Sequence, residues 1–417
     1  MIVYCFDIEC EVKITKMLFK TDGIKKTAML LLALSLVCVP LSSCTVENTD
    51  TKDSSIVTNT PTTKAPAKET TAPAETDAPE EKPEKEGTDG DFSYLLFSDG
   101  VYINAYTGEG KEVTVPSEID SYTVVGVYKN AFAGKSITSV TISDGIKSIG
   151  GNAFSGCTKL ETVNIPTSVE NIGFCAFESC KALVEITLPE NVKAIGACAF
   201  ENCEKLSKVN IPAQIKEIPF GIFRKCTSLA EITIPDGVEK IGADAFVSCP
   251  ITEFVMPDSV KEIGDGIFSN CGKLANITLS KNITSVTDMM FYECEALEAL
   301  EIPSGVTQIG ARAFFSCLKI TKLTLPDGVT KIGESAFFNC ADLKEVNIPD
   351  RITKINDNLF YNCRSLNTLT IPAGVESIGK DVFYDSAMTT INFLGSEDEW
   401  EACKGMNDYS KITVNTK

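Results

Sequence analysis

The chain has 417 residues, with 57 acidic and 38 basic side chains, a formal net charge of −19 and no histidine. An acidic body disfavours nucleic acid and anionic lipid as partners. The missing imidazole removes His-dependent triads, the commonest general base and imidazole metal sites together.

In chain order, residues 1–16 fit no targeting pattern, because Asp7, Glu9 and Glu11 stand where a signal sequence should be basic. Translation is expected to start at Met17, which opens a segment carrying Lys20, Lys25 and Lys26. The apolar run Ala28–Leu41 has the length of a signal peptide core and is too short to span a bilayer as a helix. It meets Leu41-Ser42-Ser43-Cys44, which resembles a bacterial lipobox. That resemblance implies a signal peptide over 1–43, acylation of Cys44, and anchorage to the outer face of the cell membrane.

Residues 44–91 shift to Thr, Pro, Lys and Glu; from Thr45 to Asp91 there are eleven Thr and five Pro. Such a segment buries too little apolar surface to offset its ordering entropy, so it reads as a disordered, extended tether.

From residue 132 a unit close to Ala-Phe-x-x-Cys-x-x-Leu-x-x-Val-x-Ile-Pro-x-x-Val-x-x-Ile-Gly recurs, with anchor phenylalanines from Phe132 to Phe383 spaced 23 residues apart except for two gaps of 22. This period is a solenoid signature, and stacking about twelve such units buries a continuous core that no single unit could bury. In one copy, Leu160, Val163 and Ile165 alternate with polar residues as a short strand that Pro166 ends. Val169 and Ile172 begin a second short strand, Gly173 is expected to supply a positive φ, and Phe177 plugs the core from a 3₁₀ or helical turn. The expected fold is a β-rich solenoid with one long parallel sheet, short second strands and rungs about 4.8 Å apart.

The motif Leu-x-x-Ile-x-Ile-Pro followed by Ile-Gly-x-x-Ala-Phe-x-x-Cys resembles the BspA-like, or treponemal-type, leucine-rich repeats over residues 132–394. By the same resemblance, Tyr106-Thr107-Gly108 through Pro116 look like part of an N-terminal cap, taken as 92–131. Phe393 through Trp400 look like the start of a C-terminal cap at 395–417. The family is linked to bacterial and some protist surfaces, which implies adhesion to host proteins or other cells.

Of 17 cysteines, ten share one register, from Cys157 to Cys363. A residue fixed three positions after each core phenylalanine faces the same interior in every rung, so these read as buried free thiols acting as small hydrophobes. Their side chains should run parallel rather than converge into disulfides, and one ligand per rung offers no tetrahedral metal site. Cys175 and Cys198, off this register on adjacent rungs, are the better disulfide candidate.

Catalytic motifs are weak. Gly374 to Lys380 imitates a phosphate-binding loop, but Asp381 stands where a magnesium-binding Ser or Thr belongs, and the segment is simply the repeat. Glu231 and Glu253 share a column at a spacing suited to retaining glycosidases, yet nothing around them suggests the apolar wall that would raise one pKa. No enzyme activity, cofactor or metal is therefore expected.

Binding is the stronger reading, and the strand face is the surface to inspect. Its middle positions read Asn164, Thr187, Asn210, Thr233, Val255, Thr278, Glu301, Thr324 and Asn347; Thr suits a pleated surface, and stacked Asn or Thr can bond along the array. The adjoining column varies in charge: Thr162, Glu185, Lys208, Glu231, Glu253, Asn276, Lys322 and Glu345. A concave strand face of this kind would take a macromolecule, most readily a protein; a glycan or cell-wall module, or a structural spacer, is the alternative.

Overall fold

The computed structural model describes residues 81–417. The expectations for Met17, the signal peptide and Cys44 lie outside the described residues. What is described is a solenoid of about 14 turns with mostly parallel pairing and little helix.

Each rung has three hydrogen-bonded sides. The first is the strand before the proline, paired in parallel with its neighbours, as in Glu185↔Lys208 and Ile186↔Val209. The second is the two-residue strand ending in the Ile-Gly isoleucine, as in Asn171↔Ala194 and Ile172↔Ile195. The third is the turn around the core phenylalanine. There Phe132 N donates to Ala153 O at 2.7 Å and Lys135 N to Phe132 O at 3.1 Å, so consecutive tight turns replace a helix.

The strand face is not one unbroken sheet: it divides into five ladders, among them Glu185–Ile186 with Lys208–Val209 and Glu253–Val255 with Asn276–Thr278. No strand forms over residues 231–234. The next rung has a short corner, Cys249-Pro250-Ile251, in which proline supplies no N–H, and the Thr252 N to Ala230 O contact stretches to 3.4 Å.

The core is a column of stacked rings. Phe132 and Phe154 have centroids 4.9 Å apart and Phe177 and Phe200 5.6 Å apart, with planes only 3° from parallel in the latter pair. The ten in-register cysteines are buried free thiols, as their register implied. Each also bonds backward: Cys157 Sγ donates to Phe132 O at 3.0 Å and Cys203 Sγ to Phe177 O at 3.1 Å. The phenylalanine carbonyl thus gains a second donor inside the core, where an unfilled acceptor would cost stability.

Two left-handed residues flank each core phenylalanine, for example Asn152 (φ 55°) before Phe154 and Gly156 (φ 71°) after it. Gly173, expected to supply positive φ, is not among the left-handed residues. Its role is close approach: a Cβ there would stand 2.5 Å from Gly151 N, because neighbouring rungs touch backbone to backbone.

The boundary expected at residue 92 also moves. Strand β1 (Lys85–Asp89) pairs antiparallel with β2 (Phe92–Phe97), which pairs antiparallel with β3 (Gly100–Tyr106). Polar composition made β1 look like tether, but the turn Asp89-Gly90-Asp91, with Gly90 at φ 56°, folds it back as a hairpin. β3 runs parallel to β6 (Tyr122–Val127), which meets β5 (Glu118–Ile119) antiparallel and continues the second-strand column, while β4 (Glu112–Val115) opens the strand face beside Ser139–Ile142. Tyr106 stacks on Phe132 at 5.6 Å and closes the ring column at this end.

At the other end, α1 (Glu397–Cys403) begins with a capping box between Ser396 and Glu399. It places buried Trp400 5.5 Å from Phe393 and 5.1 Å from Tyr409. The last strand, Thr413–Asn415, adds one parallel rung to Thr390–Phe393. Both ends of the core are therefore covered, which an open solenoid requires.

Candidate binding surface

The strand face displays most of the residues read from the sequence. Thr162, Asn164, Glu185, Thr187, Lys208, Glu231, Thr233, Glu253, Asn276, Thr278, Glu301, Lys322, Thr324 and Glu345 are exposed. Alternation in the strand sends the intervening residues, such as Ile186 and Phe254, into the core. Val255 interrupts the polar stripe and is 66% exposed.

Two expected ligand-facing residues are consumed by the fold. Asn210 accepts from Leu188 N at 2.7 Å and donates to Leu188 O at 2.8 Å. Asn347 does the same for Leu325, at 2.7 and 2.8 Å. Each amide continues a ladder that its backbone leaves after two residues, so both belong to the frame and not to a free surface.

Charge along the face is paired at one end and open in the middle. Lys322 Nζ and Glu345 Oε2 meet at 2.7 Å, and the lysine holds the Glu345 carboxyl below its ordinary range. Glu185, Lys208, Glu231 and Glu253 make no ion pair among the described residues. Glu231 and Glu253 stand exposed on an open surface, without the enclosed setting that glycoside hydrolysis needs.

The turn side carries a feature that the sequence reading passed over. Tyr292, Phe315, Phe338, Tyr361 and Tyr384 form a second ring stack, at 4.7, 4.5, 4.6 and 5.0 Å between successive centroids. The first four are half-buried and Tyr384 is exposed. The signal was present as doublets, Phe314-Phe315 and Phe337-Phe338 among them, whose second ring lies outside the core register. Beside the stack runs a polar ladder in which Asn339 Nδ2 donates to Ser316 Oγ at 2.9 Å and Arg364 Nε to Asn362 Oδ1 at 2.7 Å.

On the second-strand side, a shallow groove of about 460 Å³ is lined by Asp265, Asp288, Gln308, Lys331 and Glu334, among others. Burial and the neighbouring Asp288 raise the Asp265 carboxyl above its ordinary value. The aspartates serve the frame: Asp265 accepts from Asp288 N at 3.2 Å and Asp288 from Ala311 N at 2.7 Å. The segment that imitates a phosphate-binding loop contains the ordinary rung Ser377–Ile378, and Lys380 N is taken by Asp357.

Cys175 and Cys198 lie on adjacent rungs as half-buried free thiols. Among the described residues no group of three His, Cys, Asp or Glu is arranged to hold a metal ion, and no helix is long and apolar enough to cross a membrane.

These observations define a capped parallel β-solenoid with a core of isoleucine, leucine, valine, phenylalanine and cysteine and broad, open, polar sides. A model of the BspA type leucine rich repeat region, in six copies, matches residues 125–249, 158–275, 193–320 and 287–402, and the chain belongs to that family. No curated protein sequence matches it. Among solved structures, a leucine rich cell surface protein from Faecalibacterium prausnitzii A2-165 is 29% identical, covering 82% of this chain and 96% of that one, with a TM-score of 0.60. The pneumococcal vaccine antigen PcpA is 20% identical over 81% of this chain and 94% of its own, with a TM-score of 0.51, a likeness of fold alone.

Proposed function

We propose that this is a surface-displayed binding protein whose repeat domain engages a protein partner, in adhesion or another cell contact, without catalysis. The observation that carries the reading is the charge set Glu185, Lys208, Glu231 and Glu253, exposed on successive rungs without an ion pair among the described residues, with Glu185 and Lys208 register partners in one ladder and Glu253 in the next. Charges left uncompensated at fixed positions cost little in water and select a partner of complementary pattern. The solved relative described as a cell surface protein supports display outside the cell. Lipid attachment at Cys44, with the segment after it as tether, is part of this proposal.

The test is capture of host-surface and matrix proteins by the immobilised full chain, with Glu185→Lys/Lys208→Glu/Glu231→Lys as the matched control. Specific capture abolished by the charge reversals supports the reading. Capture that survives them moves the site off the strand face, and binding confined to a glycan array overturns the protein-partner assignment.

A further inference from the structure

Every rung places a left-handed residue two positions before its core phenylalanine, and the column reads Asn130, Asn152, Cys175, Cys198, Gly221, Asp244 in its first half. The column accepts varied side chains, with Met289, Arg312 and Ser335 in its second half, and cysteine occurs in it at these two successive rungs alone. The similar conformations, φ 50° and 57°, start both side chains from the same point of adjacent rungs. With rungs about 4.8 Å apart, their Cα atoms fall within disulfide range. The next position in the column is Gly221, where an added Cβ would stand 3.0 Å from Cys198 Sγ, so the sulfur lies over a bare backbone.

The contrast with the core ladder is physical. There each thiol is fully buried and donates to the carbonyl of the preceding rung, as Cys180 Sγ does to Phe154 O at 3.3 Å, which points the sulfurs in parallel. Cys175 and Cys198 are half-buried at the surface, and among the described residues neither sulfur is taken by a backbone carbonyl.

We propose that Cys175 and Cys198 form a dithiol site that closes reversibly into a disulfide across two rungs by exchange with a low-molecular-weight disulfide. The neighbouring Cys175 thiol, burial and the Glu201 carboxylate raise Cys198 above the ordinary thiol range. The exchange begins at one sulfur of the pair, here Cys175. The Cys175 sulfur bonds to one sulfur of the reagent and the reagent's S–S bond breaks, releasing one reduced thiol. Cys198 then attacks the mixed disulfide at Cys175, and its proton passes to the second departing thiol. Two protein thiols are oxidised and one small disulfide is reduced to two thiols. The closed form ties the two rungs covalently without moving the ladder.

The test treats the folded full chain with oxidised glutathione, alkylates the remaining thiols after denaturation, and maps the peptides. The expected result is one intramolecular Cys175–Cys198 link, lighter by two hydrogens, with the ten core cysteines alkylated. In Cys198→Ser, the reaction should stop at a stable glutathione adduct on Cys175. A persistent adduct on the wild type, no reaction, or a link to any other cysteine would overturn the proposal. If Cys198→Ser fails to fold, the wild-type map decides alone.

Discussion

The side-chain amide of Asn210 occupies both backbone groups of Leu188, accepting from its N–H at 2.7 Å and donating to its carbonyl at 2.8 Å. A side chain on one rung therefore does what backbone does elsewhere on the strand face. Asn164, in a ladder that still pairs through its backbone with Thr141, has no such duty. Asn210→Ala should cost about 2 kcal/mol, since it strands a donor and an acceptor beside the core, whereas Asn164→Ala should fall within about 0.5 kcal/mol of wild type. Denaturant unfolding checks the difference, with hydrogen exchange at the Leu188 amide as the local readout; equal costs for the two variants would contradict the assignment.

The cysteine ladder predicts a pH dependence. Burial pushes Cys203, Cys271 and Cys363 from an ordinary 9.0 up to about 12, and Cys180, Cys226, Cys249, Cys294, Cys317 and Cys340 also stand well above it. The folded state thus holds protons that the unfolded state releases. Stability is complete below about pH 9 and declines as pH rises toward 12, by up to ~1.4 kcal/mol per pH unit for each thiol. Unfolding midpoints measured in reductant between pH 8 and 10.5 should fall, and Cys271→Ala should flatten the slope. A level profile would mean that the thiols are not buried as described.

Two glycines separate close approach from backbone conformation. Gly173→Ala must push a methyl against Gly151 N at 2.5 Å, where only the rungs can yield, and should cost about 2–3 kcal/mol as overpacking does. Gly134→Ala has open space but a φ of +70°, and should cost about 1 kcal/mol from conformation alone. Thermal unfolding of the two variants ranks them, and a larger effect at Gly134 would reverse the argument.

The outer ring stack should stabilise the last rungs. Phe338→Ala removes two partners at 4.5 and 4.6 Å, Phe315 and Tyr361, and should cost about 2 kcal/mol, more than its half-burial alone implies. Proteolysis confined to residues near 338 would be the readout. If Phe338→Ala instead leaves stability intact and abolishes partner capture, the turn side, and not the strand face, is the binding surface.

Anchorage is tested at Cys44. Cys44→Ala should move the protein from the membrane fraction to the medium and eliminate incorporation of labelled fatty acid, because without acyl chains nothing in the proposed tether holds the bilayer. Retention in the membrane fraction would exclude lipid attachment as the anchor.

How far the fold could be read follows from periodicity. The spacing from Phe132 to Phe383 requires stacked rungs, and a residue at a constant offset, such as Cys157 or Cys180, must then share one interior setting. Local exceptions were harder to see. Lys85–Asp89 looks like tether because its side chains are polar, but a strand on a sheet edge is held by backbone bonds that composition does not report. Gly173 looked like a turn glycine because nothing in one rung tells of the rung lying against it. The doublets ending in Phe315 and Phe338 were visible, but their stacking depends on where the turn aims the second ring.

The amino-acid sequence by itself determined the solenoid, its family, its core column and the absence of imidazole chemistry, because each depends on residue type and period alone. Tertiary structure decided which surface residues are free. Asn210 and Asn164 hold equivalent strand positions, yet one is taken by Leu188 and the other faces solvent, and Cys175 and Cys198 lie half-buried at the surface while Cys180 is buried and bonds a carbonyl. Those outcomes turn on distances between neighbouring rungs, which a repeat unit read on its own does not contain.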